Sequence, residues 1–428
     1  MNEWTLRRFP ELNQAILTGE PHPADLVRAL RAEVFPSLPE PDACDETRAR
    51  QIVTLLGMWG SACVRHHVQC GLASATDPRA VFDALDVRGE PFRSYFARVA
   101  VRTGTGHPDR DTYVSYFHWN PPAIRVHWSG VTRTAPGAFG DGEVRTYTGD
   151  PRERELVLFV KTAEAVEKAA NETVEPLTRD FTGDAVDRMV AGAGLLNAVH
   201  RIFAEFTRLP PDRAMNAEFF SDTWRQYTNH WEPGDFPPSG VADTEFLARD
   251  LVLGIDVPDY ASHVRHVHPA LLPADRGRLT SLIGRVPLPT QILRRLGITR
   301  LPTDTGDLLA LATAHPELAA CYLLLAENVR VASTHLNFTK RYVFDLRRDR
   351  DAAGVPDTPV VSGRAGSTGI PEAILERLKR GRRNHPLTAF ERVPRSALTA
   401  IAGMPPAPPL GEVVSVATPT DDWTSSPA

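Results

Sequence analysis

Apolar positions recur three and four residues apart through much of this chain, the spacing that gathers them on one face of an α-helix. Ile52, Leu55, Leu56, Trp59, Cys63 and Val64 keep that spacing behind the start signal Ala43-Cys-Asp-Glu-Thr-Arg48. A second run, Leu156, Val160, Ala163, Val166 and Ala170, follows Pro151 and predicts a helix to Thr173 that Pro176 ends. Val186, Met189, Val190, Leu196, Val199, Ile202, Phe203 and Phe206 predict another, stopped by Pro210-Pro211. The clearest element lies downstream, where Pro316 is followed by neither Pro nor Gly from Glu317 to Ala353. Leu325, Val329, Ala332, Leu336 and Val343 keep the period there. They predict a buried helix of about 28 residues, roughly 42 Å long, fraying in Arg347–Asp351.

Between Thr103 and Asp150 the mixture of Gly, Pro, Thr and aromatic residues predicts irregular chain with short extended pieces. Pro371 opens a last predicted helix, Glu372 to Arg380, with Gly381 just past its end. From 403 onward Pro, Ser and Thr dominate, and disorder is expected. The expected fold class is therefore all-α, mostly helical, in three parts. A smaller, partly helical portion covers 1–150, a helical domain 151–400, and a Pro-rich tail 401–428.

Composition narrows the function. The 428 residues carry a net charge of −5, which argues against a nucleic-acid partner bound by neutralising phosphates. The longest apolar run, Leu318–Ala326, is far short of the roughly 20 residues that span a bilayer, so no membrane partner is expected. Cys44, Cys63, Cys70 and Cys321 show no CxxC spacing and read as reduced thiols of a cytoplasmic protein. Of the 48 basic residues only four are Lys, so Arg is too common for any one to be informative as Arg.

Candidate chemistry is sparse. His335 sits in Ala332-Ser-Thr-His-Leu-Asn-Phe-Thr-Lys-Arg-Tyr342, with Val331, Ala332, Phe338 and Thr339 on its helical face. Such an imidazole is either a core residue with its N–H satisfied or a metal ligand facing an apolar cavity. One neutral imidazole suffices for haem iron, whereas zinc needs three or four ligands. His263, His266 and His268 form a His-rich run without a carboxylate pattern, and His66, His67 and Cys70 lack a third partner. No P-loop, GxSxG, HExxH or EF-hand pattern occurs. Phe219-Phe220 precedes Arg225 by nearly two helical turns, a spacing that can wall a cavity with an aromatic base and a cationic rim. Ser362-Gly-Arg-Ala-Gly-Ser-Thr-Gly369 is rich in backbone and hydroxyl donors, and either closes on a ligand or links two elements.

In order, these pieces resemble the histidine-ligated haem superfamily of indoleamine and tryptophan 2,3-dioxygenases, and within it the monodechloroaminopyrrolnitrin synthase family. Phe219-Phe220-Ser221 with Arg225 and Tyr227 looks like the distal Phe-Phe-Ser…Arg…Tyr helix, one residue longer between the Phe pair and Arg. Ser239 to Gly254 is similar to the distal loop and the helix behind it. Leu272-Pro-Ala-Asp-Arg-Gly-Arg-Leu279 resembles the family's Met-Pro turn. His335-Leu336 with Thr339-Lys340 and Tyr342 resembles the proximal His-Leu…Thr-Lys-Tyr helix, and Gly363–Gly369 falls where the family keeps a Gly/Thr-rich loop. The likeness covers about residues 150 to 395.

The resemblance implies an indoleamine 2,3-dioxygenase-like helical bundle holding haem b, with His335 as the iron ligand. It implies that Phe219 or Phe220 shapes the distal side and that Arg225 pairs with a substrate carboxylate. Ser239, Gly366, Ser367 and Thr368 would meet the substrate amine or the haem propionates. Ala332 stands where the family keeps a propionate-binding Arg, so Arg330 or Arg364 is expected to substitute. No polar counterpart of the family's distal Ser occurs near Val157. The implied activity is a dioxygen-dependent oxygenase acting on tryptophan or a substituted, for example halogenated, aromatic amino acid in secondary metabolism. A peroxide-using haem hydroxylase, a non-catalytic haem or ligand binder, and a hydrolase using His263, His266 and His268 stay open, as does a homodimer.

Overall fold

The computed structural model describes residues 1–104, 110–128, 131–210, 212–358, 360–407 and 414–416, and these are mostly helical. Helices form where the apolar spacing places them. Helix α1 (Glu46–Gln69) starts at Asp45, whose carboxylate accepts from the Arg48 N–H at 2.7 Å. Helix α2 (Pro151–Val174) has Pro151 in its first turn and Asp150 as its cap, accepting from the Arg152 N–H at 2.9 Å. Helix α3 (Ala185–Phe206) packs between α2 and α5 (Pro316–Thr339). Gly192 permits this approach, since a Cβ there would lie 2.6 Å from Val174 Cγ1 and 3.4 Å from Leu324 Cδ1.

Helix α5 is apolar around most of its first half. Leu318, Ala319, Ala320, Cys321, Leu323 and Leu324 are all buried, as expected of a helix surrounded by protein. It continues through a π-helical turn, Lys340–Phe344, into a further helical stretch, Asp345–Ala352. The long predicted rod is thus one element with a bulge below its midpoint. Among the described residues no single helix is long and apolar enough to cross a membrane.

One apolar core runs through both expected parts, joining Phe9, Trp59 and Phe96 to Val166, Leu196 and Leu324. The irregular segment 103–150 contributes a π-helical turn, Val114–Trp119, and two antiparallel strands, β1 (Ile124–Trp128) and β2 (Val131–Ala135). Its backbone is tied to α2 by Lys161, whose ammonium donates to the carbonyls of His118, Pro121, Pro122 and Pro136 at 2.7–3.2 Å.

Three expectations need correction. Within the tail expected to be disordered, β3 (Val414–Val416) pairs antiparallel with β1, giving the order β2-β1-β3. A three-residue strand gains backbone partners without needing large side chains, which composition does not register. The helix predicted to stop at Arg380 runs on as α6 (Glu372–Arg383), with Gly381 inside it. That glycine serves close packing, since a Cβ would meet Val257 and lie 2.8 Å from the Asp256 carbonyl. Nor is α6 the last helix, because Arg395–Ile401 follows.

Candidate functional site

A cavity of about 280 Å³ opens between α2, α3, the N-terminal half of α4 (Thr244–Leu253), the C-terminal half of α5, and the loops around 239 and 367. Its walls are chiefly apolar. Phe159, Phe203 and Phe338 form one continuous ring cluster, with centroids 4.7–6.2 Å apart, and Phe220 joins it at 5.9 Å from Phe338. Tyr113 and Phe117 reach in from the N-terminal portion.

His335 borders this cavity. It is accessible through the cavity, which is open rather than sealed. Phe246 and Phe203 flank the imidazole at 5.8 and 6.1 Å between centroids. Among the described residues no group hydrogen-bonds either ring nitrogen, and the His335 carbonyl accepts from the Thr339 hydroxyl at 3.1 Å. Burial, together with the Arg382 and Arg249 charges, pulls its pKa down to about 4, so the ring is neutral at pH 7. Gly240 lies beside Nε2, where a Cβ would stand 3.9 Å from that atom. The one lone pair and the one N–H of the neutral imidazole are therefore both without a protein partner among the described residues.

The segment 219–227 reaches the cavity through an unusual turn. Phe219–Trp224 is π-helical and Arg225–Tyr227 follows as a 3₁₀ turn. A π turn holds one more residue than an α turn. Phe220 faces the cavity, but Phe219 points away and lies under the Arg152 guanidinium at 4.1 Å. The two phenylalanines are consecutive, so a helical turn cannot aim both at one space.

Arg225 borders the cavity, yet its guanidinium holds the 362–368 loop. One Nη donates to Ser362 O at 2.8 Å and the other to Ala365 O. Burial lowers its pKa to about 10, opposed by Asp357. The adjoining residues extend the grip. Gln226 exchanges two bonds with the Val361 backbone at 2.9 and 3.1 Å, and Thr228 Oγ1 donates to Ser367 Oγ at 2.9 Å. The expected carboxylate clamp is thus engaged as a latch on the loop. Gly366, Ser367 and Thr368 line the cavity through that loop, and Ser239 lines it from the opposite turn.

Arg330 and Arg364 do not reach the site. Arg330 is exposed on the outer face of α5, paired with Glu327 at 3.5 Å, and Arg364 is exposed and paired with Asp351 at 2.7 Å. A second guanidinium at the cavity, beside Arg225, belongs to Arg382 on α6. It lies 4.5 Å over the Phe246 ring and binds Asp250 through two bonds of 2.8 and 2.6 Å. Its sequence neighbours, Lys379-Arg-Gly-Arg-Arg383, gave no reason to single it out. Three carboxylates, Glu164, Glu167 and Asp243, also line the space and went unnoticed. The available signal was two Glu residues three apart on the inward face of α2. Of the His-rich run, His263 borders the cavity and His266 packs on Phe236 at 5.2 Å. Among the described residues no group of three or more His, Cys, Asp or Glu is arranged to hold a metal ion.

No protein-family model matches this chain, and no curated protein matches it either.

Proposed function

We propose that the chain is a haem-dependent oxygenase of aromatic substrates, with a bundle of the indoleamine 2,3-dioxygenase kind. The observation that carries the reading is His335: a neutral imidazole with no protein hydrogen-bond partner among the described residues, accessible from a cavity walled largely by aromatic rings. An accessible, unpartnered imidazole that opens on an apolar cavity is free to ligate. The donor set suits haem b, which asks for one imidazole and a dry pocket. It does not suit a multi-ligand ion.

In this reading His335 would hold the iron, and Gly240 keeps the space beside Nε2 free of a side chain. Phe203 and Phe246 fix the ring's orientation from two sides. Phe220, Phe159 and Phe338 exclude water and offer flat apolar surface to an aromatic substrate. Ser239, Ser367 and Thr368 supply hydroxyl donors at the rim, and Arg225 keeps the 362–368 loop closed over them. Arg382 places positive charge beside the apolar floor, the role expected of Arg330 or Arg364. Bound haem would supply the activation of dioxygen, a chemistry that belongs to the cofactor.

The test is spectroscopic. Protein produced with ample haem supply should show a Soret band and retain haem through gel filtration, and His335→Ala should lose both while keeping its helical circular dichroism. Full haem occupancy in the variant, or none in the parent, overturns the reading.

A further inference from the structure

A few residues past Arg225, His230 also reaches the 362–368 loop. It touches two groups at once: Nδ1 lies 2.7 Å from Asp235 Oδ1, and Nε2 lies 3.1 Å from the Ser367 carbonyl oxygen. A carbonyl only accepts, so Nε2 must carry a proton to make that bond. Asp235 is an acceptor as well. Its Oδ2 takes the Arg110 guanidinium and the N–H groups of Trp231 and Glu232, the last two at 2.9 and 3.3 Å. Burial works against ionisation there, but the Arg110 charge and the His230 hydrogen bond outweigh it and hold the Asp235 pKa down to about 2. Asp235 is therefore a carboxylate at any working pH, and Nδ1 must carry a proton too. Only the imidazolium donates from both nitrogens.

A neutral imidazole has a single N–H. If the proton stays on Nδ1, where the carboxylate draws it, Nε2 turns a lone pair towards the Ser367 oxygen and attraction becomes repulsion. A proton on Nε2 instead sets the Nδ1 lone pair against the charge of Asp235. Either tautomer gives up one fastening. The other charged groups around the pair are engaged among themselves. Asp111 accepts from Arg110 Nη2 at 3.1 Å, and Arg93 meets the Glu232 carboxylate at 3.0 Å. Arg364, the one charged side chain of the loop, faces outward to Asp351. The His230 side chain is 35 % exposed, so solvent protons reach it. Ser367 lines the cavity, which makes this bond part of the cavity wall.

We propose that His230 is a proton-operated latch on that wall: protonated, it fastens Ser367 and holds the 362–368 loop closed; deprotonated, it lets go. The sign follows from linkage. The closed loop binds one proton more than the released loop, so closure strengthens as pH falls and weakens as pH rises. Histidine suits the task because its charge changes within the physiological range. Arg225 stays charged there and keeps Ser362 and Ala365, so the loop loosens at Ser367 while its other end is held. The inference rests on the oxygenase reading only in taking this cavity as the ligand site.

The test is hydrogen exchange in the full-length protein at about pH 6 and about pH 8.5, on either side of histidine's usual titration. Rates are expressed relative to the free peptide, which cancels the intrinsic effect of pH on exchange. The Gly366 and Gly369 amides, bonded to Ile370 O and Gly366 O at 2.8 Å, report on the loop. Their protection is expected to fall roughly tenfold or more at the higher pH, as the loss of one charge-assisted bond implies, while amides of α3 keep theirs. In His230→Gln, which cannot titrate, loop protection should be the same at both. Equal protection in the parent at the two pH values, or an undiminished fall in the variant, would overturn the proposal. Nitrogen shifts of the His230 ring, followed by NMR in the parent, keep the test decisive if the variant does not fold. Both nitrogens must be protonated where the loop is protected, and a neutral ring there refutes the latch. No readout involves haem. Failure of the latch therefore leaves the oxygenase reading standing, and a protein that never retains haem leaves the latch standing.

Discussion

His335 and His385 are both held neutral by burial, yet only one of them faces open space. His385 lies 6.2 Å from the Tyr322 ring, 7 % exposed, and burial lowers its pKa to about 4 from an ordinary 6.5. Between those values the unfolded chain takes a proton that the native chain refuses, so stability is lost as pH falls from 6.5 towards 4 and is intact above. His385→Gln cannot titrate there. Urea unfolding of the haem-free protein should show the parent losing on the order of 2–3 kcal/mol relative to this variant between pH 7 and pH 4. Parallel pH profiles would refute the assignment. At this scale His335 was legible because an imidazole on an apolar helical face is unusual. Glu164, Glu167 and Arg382 were not, because nothing in a one-dimensional pattern says which polar residue of an amphipathic helix turns inward.

Helices α2 and α3 were legible almost to the residue, since apolar spacing and proline stop or start signals are local properties. The π turns were not. A π turn needs one residue more than an α turn, and only the packing around it decides where that residue is tolerated. Two such turns, Phe219–Trp224 and Lys340–Phe344, lie together, with Ser221 Oγ donating to Tyr342 O at 2.5 Å. Their effect is to swing Phe220 and Arg225 towards the cavity while Phe219 faces outward. Arg225→Ala should release the 362–368 loop. Hydrogen exchange at Val361–Thr368 is then expected to quicken at least tenfold, with a stability loss of about 2 kcal/mol for two charge-assisted bonds. Unchanged exchange in that loop would show that Gln226 and Thr228 suffice.

Over the whole molecule the expected boundary near 150 marks no break in packing. The first 150 residues share the core and bring Tyr113 and Phe117 to the cavity wall. Long-range burial of this sort leaves no mark on local periodicity, which is why the chain read as separable parts. Lys161 is where the halves are pinned. Lys161→Met keeps the length of the side chain but strands four carbonyls, and a loss of about 3 kcal/mol in urea unfolding is expected. A loss below about 1 kcal/mol would mean that water replaces the ammonium.

Arg225 grips its loop by main-chain oxygens alone, and such oxygens are the same whatever residue carries them. Side chains at 366 and 368 can therefore be exchanged without touching those bonds, whereas Ser367 also carries the Thr228 contact through its hydroxyl. How the segment is fastened and what two of its side chains present are thereby largely separable.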